Sequence, residues 1–307
     1  MTLRRFCCLF AVTGMLAFAV GCERSKPANR AASVPPAVEE GTLPRHVVVP
    51  DSGWSDAAGP VLLIQGEGRD EALVIPPAED DSGAATRLAV LGGQNSAVTL
   101  FGRGGEHLTG ELEASPKTSD TQCRLWPLRA VHGAEGWAVG FIGGQTSAMA
   151  LDSVERLSPR DSLALAAEVS RLASSVTTAT APSFQGLRFT AHDIRRFEVS
   201  PGVQAIVAHL IRRVNQEASP LEEQTLLIAE RDSGVTTGPY QLRYVDRANG
   251  MEEEVPVPEV VGAVRIESRP TLIVARDSDT GVTYSMLERT RDHHWRIRWM
   301  SGPQRCE

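Results

Sequence analysis

The amino-acid sequence predicts a mainly β fold of antiparallel meanders, with one amphipathic helix near residues 159–174. Over most of the chain, short apolar runs are separated by turn residues such as glycine, proline and aspartate. Within Trp295–Trp299, apolar residues alternate strictly with arginines, which is the period of a half-buried strand. Helical spacing of apolar residues stands out in one segment only. These strands fit either a propeller-like stack or separate β domains.

Residues 44–150 form an N-terminal β region. Glycine pairs at 92–93, 104–105 and 143–144 punctuate it, because glycine adopts the positive φ of tight turns at low steric cost. The candidate strands are His46–Pro50, Val61–Ile64, Ala72–Ile75, Leu88–Leu91, Ala97–Phe101 and Trp137–Ile142.

Residues 151–182 are predicted to be a helix followed by a linker. Ser158 is a suitable N-cap, Pro159 suits the first helical position, and Asp161 follows three residues after the cap. The apolar residues that share one helical face are Leu165, Val169, Leu172 and Val176. We expect this helix to pack across a sheet edge or between two β parts, with a partner-binding helix as the alternative.

Residues 183–307 form a C-terminal β region. Asn249-Gly250 is a hairpin signal, and the acidic run Glu252–Glu254 beside it is expected to be a solvated tip. The candidate strands are Gly186–Thr190, Phe197–Ser200, Val203–Val214, Gln224–Ala229, Tyr240–Asp246, Val260–Ile266, Thr271–Ala275, Thr283–Glu288 and Trp295–Met300.

A 45-residue repeat is suggested within this C-terminal region. Leu227–Ser233 and Leu272–Ser278 share five of seven residues at an offset of 45. Such a period suits a four-stranded propeller blade. The strand, Asp-rich turn and tryptophan-ended strand of residues 257–301 loosely resemble one blade of the propeller repeats of integrin-type extracellular proteins. Chance similarity or a duplicated sheet would also explain the two copies.

Residues 1–21 have the pattern of a secretion leader. Arg4 and Arg5 precede an apolar run from Phe6 to Val20, which is shorter than the roughly 20 residues needed to span a bilayer. The run ends in Ala19-Val20-Gly21, immediately before Cys22. This ending resembles the lipobox of bacterial lipoprotein precursors, and the resemblance covers residues 1–22 only. An ordinary leader cleaved near Gly21, or a short core helix, is the alternative.

The lipobox resemblance implies cleavage before Cys22 and acylation of its thiol, which would anchor the chain in a membrane. Residues 22–43 are rich in proline, alanine and serine and would then be a disordered tether. In lipoproteins of two-membrane bacteria, Asp after the cysteine often marks inner-membrane retention. Glu23 stands there instead, which implies the outer membrane rather than the inner.

The net charge of the chain indicates which classes of binding partner it is expected to have. Removing residues 1–21 leaves 29 Lys and Arg against 38 Asp and Glu, so the remaining chain carries 29 − 38 = −9. Such a chain does not attract nucleic acid, and anionic headgroups repel it. The expected partners are therefore the lipid bilayer, through acylated Cys22, and an envelope protein or glycan.

Two cysteines remain outside the leader and the lipidation site, Cys123 and Cys306. An even pair in an exported protein favours a disulfide, because the space outside the cytoplasm is oxidising. Two separate buried thiols are the alternative.

Short catalytic signatures are missing from the sequence. It contains no G-x-S-x-G, H-E-x-x-H, C-x-x-C, Walker loop or G-x-G-x-x-G. Asp277 and Asp279 precede Gly281 in a pattern that weakly suits Ca²⁺, against a plain hairpin turn. We expect no cofactor. The sequence favours a non-enzymatic binding or envelope-structural module, with an anchored extracytoplasmic hydrolase acting on envelope material as the alternative.

Overall fold

The computed structural model describes residues 53–77, 88–89, 91, 95–117, 124–132, 136–176, 182–214, 220–232 and 238–306. Within them the chain forms sixteen strands that pair antiparallel, and one long helix, α1. This confirms the predicted mainly β class. No helix among the described residues is both long and apolar enough to cross a membrane.

The first six strands close into a barrel, in the order β1-β2-β5-β4-β3-β6. A short 3₁₀ turn at Asp56–Ala58 precedes it. The strands are β1 Leu62–Gln65, β2 Glu71–Ile75, β3 Ser96–Phe101, β4 His107–Leu112, β5 Leu125–His132 and β6 Val139–Ile142. Closure leaves no unpaired sheet edge.

Apolar side chains fill the barrel. Leu63, Val74, Leu100 and Trp126 belong to one buried cluster inside it. Gly140 of β6 has no room for a side chain, because a Cβ there would lie 2.6 Å from Leu100 Cδ2. The barrel is therefore a packed core, as expected for a small strand number.

Two five-stranded sheets follow. The barrel-side sheet has the order β16-β15-β14-β13-β7, and the helix-side sheet has the order β12-β11-β10-β9-β8. The two edge strands from the middle of the chain are β7 Thr146–Ala148 and β8 Asp152–Ser153. The remaining strands are β9 Thr190–Ser200, β10 Val203–Val214, β11 Leu221–Asp232, β12 Gln241–Met251, β13 Val257–Ile266, β14 Arg269–Asp277, β15 Thr283–Arg289 and β16 Trp295–Met300.

The barrel-side sheet is covered on both faces. Val264 and Met286 pack with the outer flank of the barrel, including Phe141. Leu272 and Leu287 lie on its other face, in a core shared with the helix-side sheet. Strands covered on both sides read as nearly continuous apolar runs, which explains the buried stretches of β13 and β14.

Helix α1 spans Pro159–Ser174 and confirms the predicted segment. The Ser158 hydroxyl accepts the Asp161 backbone N–H at 3.2 Å, as the capping pattern predicts. Val169 and Leu172 are buried against the outer face of the helix-side sheet. Short 3₁₀ turns lie at Val154–Arg156 and Pro182–Phe184.

Three predictions from local pattern were wrong. Leu88 and Ala89 are helical and Leu91 lies in a turn, whereas Leu88–Leu91 was predicted as a strand. Asn249 and Gly250 lie inside β12, paired with Glu223 and Glu222, and the turn comes later at 252–254. The predicted strand Gly186–Thr190 is mostly turn and loop, and its last residue begins β9. His46–Pro50 lies outside the described residues.

The described strands form a barrel and two packed sheets rather than radial blades. The similar segments beginning at Leu227 and Leu272 occupy β11 and β14. Leu227 packs beneath helix α1, whereas Leu272 lies between the two sheets. The matching residues therefore face different cores, and each segment is apolar because its own strand is buried on both sides.

Candidate functional site

The sequence singled out five residues for chemistry. Cys22 and Cys123 lie outside the described residues. Cys306 is disulfide-bonded, and its partner lies outside the described residues, so the pairing with Cys123 stays a prediction. Asp277 and Asp279 lie exposed at the β14–β15 turn.

The side-chain hydrogen bonds within the β14–β15 turn are made by the Ser278 hydroxyl rather than by the carboxylates of Asp277 and Asp279. Ser278 Oγ lies 2.8 Å from Thr280 Oγ1 and donates to the Gly281 carbonyl at 3.1 Å. Among the described residues, no three His, Cys, Asp or Glu side chains are grouped as a metal site would require. Asp277 and Asp279 are thus not joined there by further acidic ligands, and the Ca²⁺ hypothesis gains no support.

A cleft lies where helix α1 meets one end of the helix-side sheet, with a volume of about 620 Å³. We call it the helix cleft. Its helix wall is formed by Leu157, which precedes α1, and by the α1 residues Asp161, Ala164, Leu165, Glu168 and Arg171. Its sheet side is formed by Arg196 of β9, Arg231 of β11 and the segment Gly238–Tyr240. This volume lies in the range of small-molecule sites.

The way α1 packs explains why the cleft exists. The buried residues of the helix are Val169, Leu172 and Ala173, all in its C-terminal half. Leu165 is only half-buried, and Ala164 is exposed. The N-terminal half of α1 contacts the core beneath it through the partly buried Leu165 and Ala166, and the cleft opens beside these side chains.

The sheet side of the cleft is cationic. The Arg231 guanidinium lies 4.5 Å from the centre of the Tyr240 ring and donates to Gln204 Oε1 at 3.0 Å. Arg196 has a buried Nε–H for which no described residue supplies a hydrogen-bond acceptor. Burial raises the pKa of the Tyr240 hydroxyl, although the charges of Arg231 and Arg196 oppose this. Tyr240 is therefore neutral at ordinary pH and adds no negative charge.

The carboxylates of the cleft are already engaged by the helix itself. Glu168 accepts two hydrogen bonds from Arg171, at 2.9 and 2.8 Å, and these lower the pKa of its carboxyl group. Asp161 accepts the Ser158 hydroxyl at 2.7 Å. Within the described residues, neither Arg196 nor Arg231 pairs with a carboxylate. The sheet side thus presents two guanidinium groups that form no ion pair with a carboxylate of the described residues.

Two further polar clusters among the described residues are buried in the helix-side sheet. On the helix-facing side of the helix-side sheet, Arg212 donates two hydrogen bonds of 2.9 Å to Glu223, whose exposure is 0%. On the opposite face, His209 lies 2.5 Å from Gln224, which donates to Glu222 at 2.6 Å. All five of these side chains are buried, so we assign them to the stability of the fold.

Sequence reasoning missed the residues of the helix cleft. Tyr240 was treated as a strand residue, and the abundance of arginine was taken to reflect composition. One signal was available, since the β9 alternation places Arg196 on the same face as the buried Ile194, beneath the helix. Only the tertiary fold brings Arg231 and α1 to the same place.

Comparisons of the chain with models of protein families, with curated proteins and with solved structures found no match. The helix cleft and the fold around it therefore carry the functional argument.

Proposed function

We propose that this protein is a lipid-anchored, extracytoplasmic binding module whose ligand site is the helix cleft. Acylation of Cys22 would hold it at the cell envelope, at the outer membrane rather than the inner. The leader pattern of residues 1–22 supports the anchor, and the Pro- and Ala-rich stretch before the folded body suits a tether. A bridge from Cys306 to Cys123 would suit an oxidising compartment.

The observation that carries the binding role is the cationic sheet side of the cleft. Arg196 and Arg231 face an open space of about 620 Å³ without a carboxylate partner among the described residues. The described lining combines arginine, tyrosine and leucine with the two carboxylates Asp161 and Glu168, and it includes no serine, cysteine or histidine. Such residues hold a ligand by charge, stacking and apolar contact.

The anchor is tested by following the acyl mass. The full chain and its Cys22→Ser variant would be expressed in a bacterium with two membranes, and the fractions analysed by mass spectrometry. We expect the parent chain in the membrane fraction, with added acyl mass on a peptide that begins at Cys22. The variant should lack that mass. A parent chain in the aqueous fraction without acyl mass would contradict the anchor.

The binding site is tested by filling it. Ala164→Trp places an indole at the exposed helix wall of the cleft, whereas Leu163→Trp places one at a neighbouring position that is 71% exposed and outside the lining. Both proteins would be mixed with small molecules extracted from envelopes and analysed by native mass spectrometry.

We expect the parent and Leu163→Trp proteins to retain the same small molecule, and Ala164→Trp to lose it. Circular dichroism and melting temperature confirm that both variants fold. Equal retention by all three proteins, or retention by none, would contradict the assignment of the site.

A further inference from the structure

The helix cleft has two chemically different sides. Arg196 and Arg231 occupy the sheet side, whereas Leu157, Ala164 and Leu165 line the helix wall. The acidic members of that wall are held by Ser158 and Arg171 on the helix itself. A ligand that enters therefore meets two guanidinium groups on one side, and on the other side aliphatic side chains next to Asp161 and the Glu168–Arg171 pair.

Arg196 is short of an acceptor. Its Nε–H is buried, no protein group accepts a hydrogen bond from it, and it belongs to no ion pair in the described part of the chain. A buried hydrogen-bond donor without an acceptor raises the free energy of the folded protein. An oxyanion that accepts a hydrogen bond from it would remove this cost. The guanidinium geometry suits carboxylate and phosphate oxygens, which accept two hydrogen bonds at once.

Arg231 is already held in place before a ligand arrives. Its guanidinium lies over the Tyr240 ring at 4.5 Å, and Gln204 accepts one of its hydrogen bonds at 3.0 Å. Gln204 is a neutral partner, so the positive charge of Arg231 is positioned without being cancelled. A positioned cation loses less side-chain freedom on binding than a mobile one.

We propose that the helix cleft binds an amphipathic organic oxyanion, with its acidic head between Arg196 and Arg231 and its apolar part along Leu157, Ala164 and Leu165. The inference rests on the proposed function and names the ligand class of that site. Carboxylate and phosphate heads share the chemistry that the two arginines recognise, and the head can belong to a free molecule or to a membrane lipid.

Calorimetric titration with defined probes tests the inference. The purified full chain would be titrated with octanoate, octyl phosphate, inorganic phosphate and octyl glucoside. We expect octanoate or octyl phosphate to bind about tenfold or more tightly than octyl glucoside, which lacks the charge. Inorganic phosphate should bind more weakly than octyl phosphate, because it lacks the apolar part.

Variants locate the binding. Arg196→Gln and Arg231→Gln should each weaken octyl anion binding by about tenfold or more. Arg188→Gln, an exposed arginine outside the cleft lining, should leave it unchanged. Equal binding of octyl glucoside, or unchanged binding by the Arg196 variant, would overturn the inference. The melting temperature of each variant separates lost binding from lost folding.

A further experiment with lipid vesicles distinguishes an acidic head group that belongs to a membrane lipid from one that belongs to a free molecule. Flotation with vesicles containing phosphatidylglycerol, using the Cys22→Ser chain, reports binding to a lipid in a bilayer. Flotation that Arg196→Gln abolishes would assign the site to a lipid head group, whereas octyl anion binding without flotation would assign it to a free anion. If Ala164→Trp loses an envelope molecule while no octyl anion binds, the proposed function stands and this inference fails.

Discussion

Arg289 on β15 donates hydrogen bonds of 2.7 and 2.8 Å to the two carboxylate oxygens of Glu230 on β11. The pair joins the barrel-side sheet to the helix-side sheet, and Trp295 Nε1 also donates to Glu230 at 2.7 Å. Arg276 and Asp246 form a second link between the sheets, at 2.7 Å. Removing one partner of such a buried pair leaves an uncompensated charge, so both links bear on the stability of the packed sheets.

Replacing Glu230 by glutamine should destabilise the protein markedly. The Glu230 and Arg289 side chains are only 3% and 11% exposed, so the variant leaves a buried guanidinium unpaired. We expect the free energy of unfolding to fall by about 3 kcal/mol, measured by urea denaturation. Glu259→Gln is the matched control, because its pair with Arg103 is exposed, and it should cost about 0.5 kcal/mol. Equal losses in the two variants would contradict the role of the link.

A side chain at Gly262 should disturb the contact between the barrel and the barrel-side sheet. A Cβ there would lie 2.9 Å from Val139 Cγ1 and 3.0 Å from Val139 Cγ2. Gly262→Ala should therefore lower the free energy of unfolding by about 2 kcal/mol. Gly250→Ala, whose added carbon would have its nearest neighbour at 4.0 Å, is the control and should have a small effect.

The partner of Gly262 is tested by a double-mutant cycle. Trimming Val139 to alanine removes the atoms that clash, so the double variant should lose less stability than the two single losses added together. Strict additivity of the two losses would show that the clash is relieved elsewhere.

Mild acid should weaken the protein through His209. Burial lowers the pKa of this imidazole below its ordinary value of 6.5, although the hydrogen bond with Gln224 opposes the shift. The unfolded chain therefore binds a proton at a higher pH than the folded chain does, and stability is lost as the pH falls below 6.5.

Urea unfolding at about pH 7.5 and about pH 5.5 measures this loss. The loss should be smaller in His209→Gln than in the parent chain, and His294→Gln, which removes an exposed histidine, should behave like the parent. A loss that is the same in all three proteins would contradict the assignment to His209.

Alkaline titration should find the tyrosines resistant to ionisation. Burial raises the pKa of all three, Tyr240, Tyr244 and Tyr284, and raises that of Tyr284 to about 12. Unfolded tyrosine ionises near its ordinary value of 10.0, so stability present below that pH is lost as the pH rises towards the folded pKa.

Tyrosinate absorbance should therefore appear together with unfolding, as followed by circular dichroism, rather than near the ordinary tyrosine pKa. Tyr284→Phe should retain more of its stability at about pH 11 than the parent chain. Full ionisation of all three tyrosines in the folded protein would contradict the burial argument.

The sequence predicted helices and strands correctly where the local pattern of apolar residues determines the structure. Helix α1 was predictable because its N-cap residue and its apolar face both lie within one continuous segment of the sequence. β16 matches the predicted Trp295–Met300 because its apolar residues alternate strictly, and β10 matches the predicted Val203–Val214 because it is a nearly continuous apolar run. The hairpin turn predicted at Asn249-Gly250 was wrong because pairing of these residues with β11 outweighs their local preference for a turn.

The barrel and the helix cleft were beyond local pattern. His107–Leu112 became β4 through pairing with β3 and β5, and its alternation is broken by Gly110. The cleft lies between α1 and residues of β9 and β11 that are distant from the helix in the sequence. Arginine next to arginine at 195 and 196 gives no sign of which one lacks a partner.

The segment that carries β7 and β8 has a consequence for synthesis. β8 pairs with β9. β7, in contrast, pairs with β13, which begins at Val257, so the partner strand of β7 is synthesised only after most of the chain has been made. A nascent or prematurely terminated chain can close its barrel from residues 62–142 and still hold β7 as an unsatisfied edge. An unpaired strand is open to proteolysis, so completion of β13 protects a stretch of chain that was synthesised much earlier.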